Sequence, residues 1–231
     1  MATRTSTRTS KRPSVRPRKK PVQKRSQVTV DAIVEAAARV FVREGYASAT
    51  TNRIAELAGV SVGSLYEYFP NKASLLAALV GRQVDNMMQV MRARLASVKG
   101  GTLREIVGAI ARATIEAHYQ NIELNRLLIA VTPRVAHWRH IEQVSFSHAD
   151  LIREALAHLI PDPVRLEHAA FTAETIVESL LQRTILFAHR LPGYRLEEEM
   201  AGVLTGYLQP LATGNADAPR GAGRKEGALA A

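Results

Sequence analysis

The 231-residue chain contains no cysteine, which excludes disulfide scaffolds, thiolate zinc fingers, iron–sulfur clusters and cysteine nucleophiles. Aromatic residues are scarce at 5%, with a single tryptophan, so aliphatic side chains must build most of any core. Long apolar runs are missing as well. The longest, Leu75 to Gly81, falls far short of the ~20 residues needed to span a bilayer. No apolar stretch follows the basic N-terminus, as a secretory signal requires. That terminus has the Arg/Ser/Thr composition of an organellar transit peptide. Yet residues 1–26 hold only Met1, Ala2, Val15 and Val22 as apolar material, too little for an amphipathic face. The expectation is a soluble cytoplasmic protein with no membrane association.

Acidic side chains are absent from residues 1–26, which carry ten basic ones. The remaining 205 residues hold 21 of each sign, so the whole net charge of +10 belongs to a cationic leader. Pro13, Pro17 and Pro21 punctuate that leader, which cannot bury enough surface to offset its ordering entropy. Residues 1–26 are therefore expected to be a disordered basic arm, and the Gly/Ala-rich residues 212–231 a disordered tail. The charge-balanced middle, in a chain that is 46% hydrophobic, is long enough for one or two domains.

Alternating strand patterns are not found in that middle, whereas helical periodicity runs throughout. Val30, Ile33, Ala37, Val40 and Phe41 form a stripe ended by Gly45. Thr50 or Thr51 caps a short helix to Ala58, and Ser61 caps another to Phe69, closed by Pro70. Asn71 opens a long helix to about Val98, and Thr102 with Glu105 has capping-box spacing for the next. That helix breaks near Asn121 and a short one continues towards Pro133. Further helices are expected from about His140 to Ile160, from Asp162–Pro163 to about Arg190, and from after Gly193 to about Gln209. The reading is all-α with about nine helices.

Residues 31–72 carry the functional signal. Gly59 permits a left-handed turn, Val60 packs inward and Ser61 caps the following helix, which is helix-turn-helix geometry. Ile54 and Leu57 should pack on Leu65 and Phe69, leaving Val62, Gly63, Ser64, Tyr66, Glu67 and Tyr68 outside. A helix so presented fits the ~12 Å major groove of B-DNA. Ser64 suits a base edge, Val62 a thymine methyl and Gly63 close backbone approach. Tyr66, Tyr68, Lys72 and Thr51 suit phosphates. The reading face has no arginine or glutamine, so bidentate readout falls to Asn52, Arg53 or the leader.

The run Thr50-Thr51-Asn52-Arg53-Ile54-Ala55-Glu56-Leu57-Ala58-Gly59-Val60-Ser61-Val62-Gly63-Ser64-Leu65-Tyr66-Glu67-Tyr68-Phe69, followed by Asn71-Lys72, resembles the DNA-binding domain of TetR-family transcriptional regulators. So does Ala36-Ala37-Ala38-Arg39-Val40-Phe41-Val42-Arg43-Glu44-Gly45-Tyr46 before it. The resemblance implies a helix-turn-helix domain over residues 27–72 and a helical effector-binding and dimerisation domain over 73–211. It also implies DNA contacts from Thr51, Asn52, Val62, Gly63, Ser64, Tyr66, Tyr68 and Lys72. Position 62 is often polar in the family, and valine there removes a hydrogen bond. The expected activity is that of a ligand-responsive repressor, not an enzyme, binding a palindromic operator as a homodimer without a cofactor. A non-sequence-specific architectural role through the basic arm is the alternative.

Other features of the sequence compete with this reading. Gly59-Val60-Ser61-Val62-Gly63 has Gly-x-Ser-x-Gly spacing, but a hydrolase elbow needs a preceding strand, which Ile54–Ala58 does not supply. His137, His140 and His148 have no accompanying carboxylate pattern for a metal. Met87, Met88 and Met91 suit either a core or an adaptable pocket wall. Candidate effector-pocket residues are Met87, Met91, His118, Tyr119, Trp138, Thr175 and Glu178. The dimer stripes are expected at Ala169, Ala173, Ile176, Leu180, Thr184 and Phe187, facing Met200, Val203, Leu204, Tyr207 and Leu211. The helix from Lys72 should couple pocket to reading heads, shifting operator affinity by roughly 1–3 kcal/mol.

Overall fold

The computed structural model describes residues 24–135, 138–187, 190 and 193–213, with side chains for all of these except 24, 25 and 133–146. Most of the expected basic arm and tail lie outside the described residues. Among those described there are nine helices and no strand. They are α1 (Lys24–Glu44), α2 (Thr51–Ala58), α3 (Val62–Tyr68), α4 (Lys72–Ala96) and α5 (Leu103–Tyr119), then α6 (Ile122–Val135), α7 (Trp138–Leu156), α8 (Pro163–Phe187) and α9 (Leu196–Ala212).

Local chemistry sets most of the boundaries. Gly45 ends α1 at a φ of 77°. The Thr50 hydroxyl accepts the Arg53 N–H at 3.2 Å and caps α2. Asn71 and Ser74 bond reciprocally at the start of α4, through Ser74 N–H to Asn71 Oδ1 at 2.9 Å and Asn71 N–H to Ser74 Oγ at 3.3 Å. Thr102 and Glu105 do the same for α5: the Thr102 N–H donates to Glu105 Oε2 at 2.7 Å. Asp162 Oδ1 accepts the Arg165 N–H at 2.9 Å above Pro163. Helices α7 and α9 end at Leu156 and Ala212, not near Ile160 and Gln209, and the start of α1 also differs from expectation. Helix α1 begins at Lys24, six residues before Val30, so Lys24–Ser26 belong to a helix and not to the arm. Pro21 is the last helix breaker before it.

The chain divides into two compact units, and neither coincides with a cut at residue 72. The first comprises the residues up to Met87 together with Ala117–Val144; the second comprises Met88–Glu116 and the residues from Ser145 onward. In the first unit, Ile33, Ala37, Val40 and Phe41 of α1 pack with Ile54, Leu65, Phe69, Leu75, Leu76 and Leu79. Leu124 and Leu128 of α6 complete the same cluster, because α6 lies against α1. Gln83 and Asn86 of α4 hold the end of α5 by donating to the Ala117 carbonyl and Gln120 Oε1, each at 3.0 Å.

In the second unit, Ile106, Ile110, Ile152 and Leu156 are fully buried, and α8 packs on α9. The expected dimer stripes are split. Ala169, Ala173, Thr184, Met200 and Leu204 are buried within the protomer, whereas Phe187 and Val203 are each 46% exposed. Helical period alone does not say whether a stripe meets its own subunit or another, which is why the first five were misplaced. Phe171 is a further exposed aromatic on α8.

Candidate nucleic-acid interface

The recognition pair is built from α2, a turn and α3. Gly59 adopts φ 68°, ψ 30°, and its N–H donates to the carbonyls of Ala55 and Glu56, closing α2. Ser61 Oγ accepts the Ser64 N–H at 3.0 Å and caps α3. Ile54, Ala55, Leu65 and Phe69 are all but fully buried and hold the pair together. Leu57 was expected among them but is 43% exposed. Successive helical residues turn by about 100°, so a packing face that includes Ala58 directs Leu57 outward. There it lines a shallow cleft of about 190 Å³ with Ala32, Glu35, Ala36 and Arg39 of α1.

The outer face of α3 presents Val62 at 38% and Tyr66 at 41% exposure, with Gly63 and Glu67 also open to solvent. Asn52 is exposed on α2. Thr51 Oγ1 and the Tyr66 hydroxyl are hydrogen-bonded at 2.9 Å, tying α2 to α3 and placing the two hydroxyls side by side. Ser64 is half-buried, and its hydroxyl is 2.9 Å from that of Ser61. Tyr68 departs from expectation: it is half-buried and packs on the head's core.

Two cations sit otherwise than the sequence indicated. Arg53 donates to Glu56 Oε2 at 2.7 Å and lies 3.6 Å from Glu44, so its guanidinium is held by carboxylates. The Glu56 hydrogen bond pushes the Arg53 pKa up, while the Arg43 hydrogen bond draws that of Glu44 below the usual carboxylate range. Lys72 Nζ donates to the carbonyls of Tyr46 at 2.8 Å and Ala47 at 2.9 Å. It also lies 5.0 Å from the centroid of the Tyr46 ring. That ring meets Phe41 edge-on at 5.2 Å, and burial pushes its phenol pKa up. A lysine and its carbonyls 25 and 26 residues apart leave no sequence pattern to detect.

Two family models match the chain: bacterial regulatory proteins, tetR family, over residues 33–79, and tetracyclin repressor-like, C-terminal domain, over 102–208. The chain belongs to the TetR family. Among its relatives is the HTH-type transcriptional activator FasR of Mycolicibacterium smegmatis, 38% identical over 88 residues. That match covers 38% of this chain and 37% of FasR. The HTH-type transcriptional regulator TtgR of Pseudomonas putida is 50% identical over 54 residues, 23% of this chain and 26% of TtgR. The chain thus spans well under half the length of either relative. The crystal structure of a putative TetR-family regulator from Mesorhizobium loti superposes with a TM-score of 0.63 at 20% identity. It covers 81% of this chain and 98% of its own, a likeness of fold.

Within this TetR-family chain the expected effector residues belong to both units. Met87, His118 and Tyr119 belong to the first unit, and Met91, Thr175 and Glu178 to the second. Met87, Met91 and His118 are buried. Tyr119 is exposed at the end of α5. Thr175 is exposed on α8, its hydroxyl donating to the Phe171 carbonyl at 2.9 Å, so neither residue lines an interior of the protomer. Glu178 is half-buried and accepts the Gln182 amide at 2.7 Å. The side chains of Trp138, His137 and His140 lie outside the described residues, while His148 is buried. Among the described residues no three His, Asp or Glu side chains are grouped to hold a metal, and no helix is long and apolar enough to cross a membrane. Ser61 follows a helix and a turn, not a strand, so the hydrolase elbow does not form.

Proposed function

We propose that this chain is a sequence-specific DNA-binding transcriptional regulator that represses by occupying a palindromic operator as a homodimer. The observation that carries the reading is the two-faced α3. Leu65 is fully buried while Val62, Gly63 and Tyr66 face outward beside the exposed Asn52, on an element capped and aimed by Ser61 and Gly59. Such a rod suits a major groove, with Ser64 and Val62 toward base edges and Thr51 and Tyr66 toward phosphates. One short helix reads too few base pairs to find a genomic site, which favours a symmetric pair. The exposed Phe171, Phe187 and Val203 on the packed α8 and α9 supply apolar surface for that pairing.

An effector acting on the second unit would weaken operator binding by its differential affinity for the two protomer arrangements. The reading needs no cofactor and no catalysis, and its setting is cytoplasmic and nucleoid-associated when DNA is bound. Selection from random duplexes tests it. A dimer enriching an inverted repeat with half-sites roughly 34–36 Å apart, or a multiple, is expected. A monomer that enriches nothing over random competitor overturns it, and dimeric binding without enrichment favours the architectural alternative.

A further inference from the structure

We propose that Lys72 serves DNA binding as a positioning residue that pins the α1–α2 turn, and not through its charge at a phosphate. This rests on the DNA-reading function proposed above. Two of the three ammonium donors already go to the converging carbonyls of Tyr46 and Ala47, at 2.8 and 2.9 Å. The ammonium also lies 5.0 Å from the Tyr46 ring centroid, and that ring is braced edge-on against buried Phe41. Holding both carbonyls leaves Nζ a single remaining donor and fixes where the ammonium lies.

What Lys72 holds is the segment that aims the reading pair. The turn runs from Gly45, whose carbonyl accepts the Ala49 N–H at 3.1 Å, to Thr50, which caps α2. Thr51 follows and bonds Tyr66 of α3 at 2.9 Å. Fixing the turn on the first residue of α4 therefore fixes where α2 begins, and through Thr51 the rotation of α3. All of these residues belong to the same compact unit.

The two roles separate by salt dependence, because a phosphate contact contributes about 0.9 to the slope of log affinity against log salt, whereas a tie inside the protein contributes nothing. The probe is a 30-base-pair duplex chosen by the wild-type protein from random sequence. Lys72→Met should bind it about tenfold more weakly at 25 °C, as expected for two lost hydrogen bonds, with the slope unchanged and the DNA-free protein melting earlier. Lys72→Gln, neutral but still able to donate, should recover part of the affinity at the same slope, and it decides the matter if the methionine variant does not fold. Ile106→Ala, in the buried core of the second unit, is the structural control. It should lower the melting temperature without changing affinity at 25 °C, so lost affinity in a folded Lys72 variant reports positioning and not general weakening. A slope shallower by about 1.8, one phosphate from each protomer of the dimer, with the DNA-free melting temperature untouched overturns the assignment, as does unchanged affinity. If the wild-type protein selects no duplex, the functional reading falls and this assignment with it, even though the melting shift would still reveal the tie.

Discussion

Replacing Gly59 by alanine isolates one physical contribution to the recognition pair. The residue sits at φ 68°, ψ 30°, a left-handed backbone that disfavours a β-carbon by about 1–2 kcal/mol. A β-carbon built there meets no atom within 4 Å, so no steric clash adds to that figure. Alanine also stiffens the unfolded chain, which offsets part of the penalty, about 0.4–1 kcal/mol at compatible sites. The net destabilisation expected for Gly59→Ala is about 1 kcal/mol, or a fall in melting temperature of about 2–4 °C for a chain of this size. Gly59→Asn should fall less, since asparagine tolerates this region. Thermal unfolding followed by circular dichroism measures both. The turn keeps its Gly59 and Val60 N–H bonds to the end of α2, so the preferred DNA sequence should not change. A melting temperature at or above wild type for the alanine variant refutes the strain argument, and so would an asparagine variant no better than alanine.

Further expectations follow from the same geometry. Ser64→Ala should alter the preferred sequence in duplex selection, whereas Tyr66→Phe, which breaks the bond to Thr51, should weaken binding to every sequence; an unaltered preference for Ser64→Ala removes it from base reading. The Glu105 pKa is held low by the Thr102 N–H and hydroxyl, so its stabilising effect is present above the unfolded carboxylate pKa and fades as acid titrates through the lower folded value. Glu105→Gln should accordingly flatten the acid limb of a stability-versus-pH curve below about pH 5, and an identical limb would show that the cap carries no such linkage. Deleting residues 1–23 leaves α1 whole and removes eight of the leader's ten cations. For the proposed dimer, with two such arms, the salt slope should flatten by up to about 14 if each cation meets a phosphate, and an unchanged slope excludes the arm from DNA.

Capping was legible in the sequence because it is a local event. Thr50, Ser61, Asn71, Thr102 with Glu105, and Asp162 each hold a backbone N–H within three residues, a distance at which residue type nearly decides geometry. The αL turn at Gly59 was legible for the same reason. What stayed hidden depends on partners distant in sequence. Leu57 faces outward unforeseen, because a helix of eight residues is too short for periodicity to fix its packing face. Tyr68 turns onto the head's core, and Lys72 finds carbonyls 25 and 26 residues earlier. The apolar stripe of α8 divides between its own subunit and solvent, which composition does not foretell.

Leu124 and Leu128 close a core whose other members end at Leu79. The reading module is therefore not a cassette at one end of the polypeptide. A chimera that grafts only the first eighty residues onto another effector body would leave Ile33 and its neighbours without the aliphatic lid they evolved against. Exchange of binding specificity among such regulators, whether by recombination or in the laboratory, must carry both pieces across or redesign the seam where they meet.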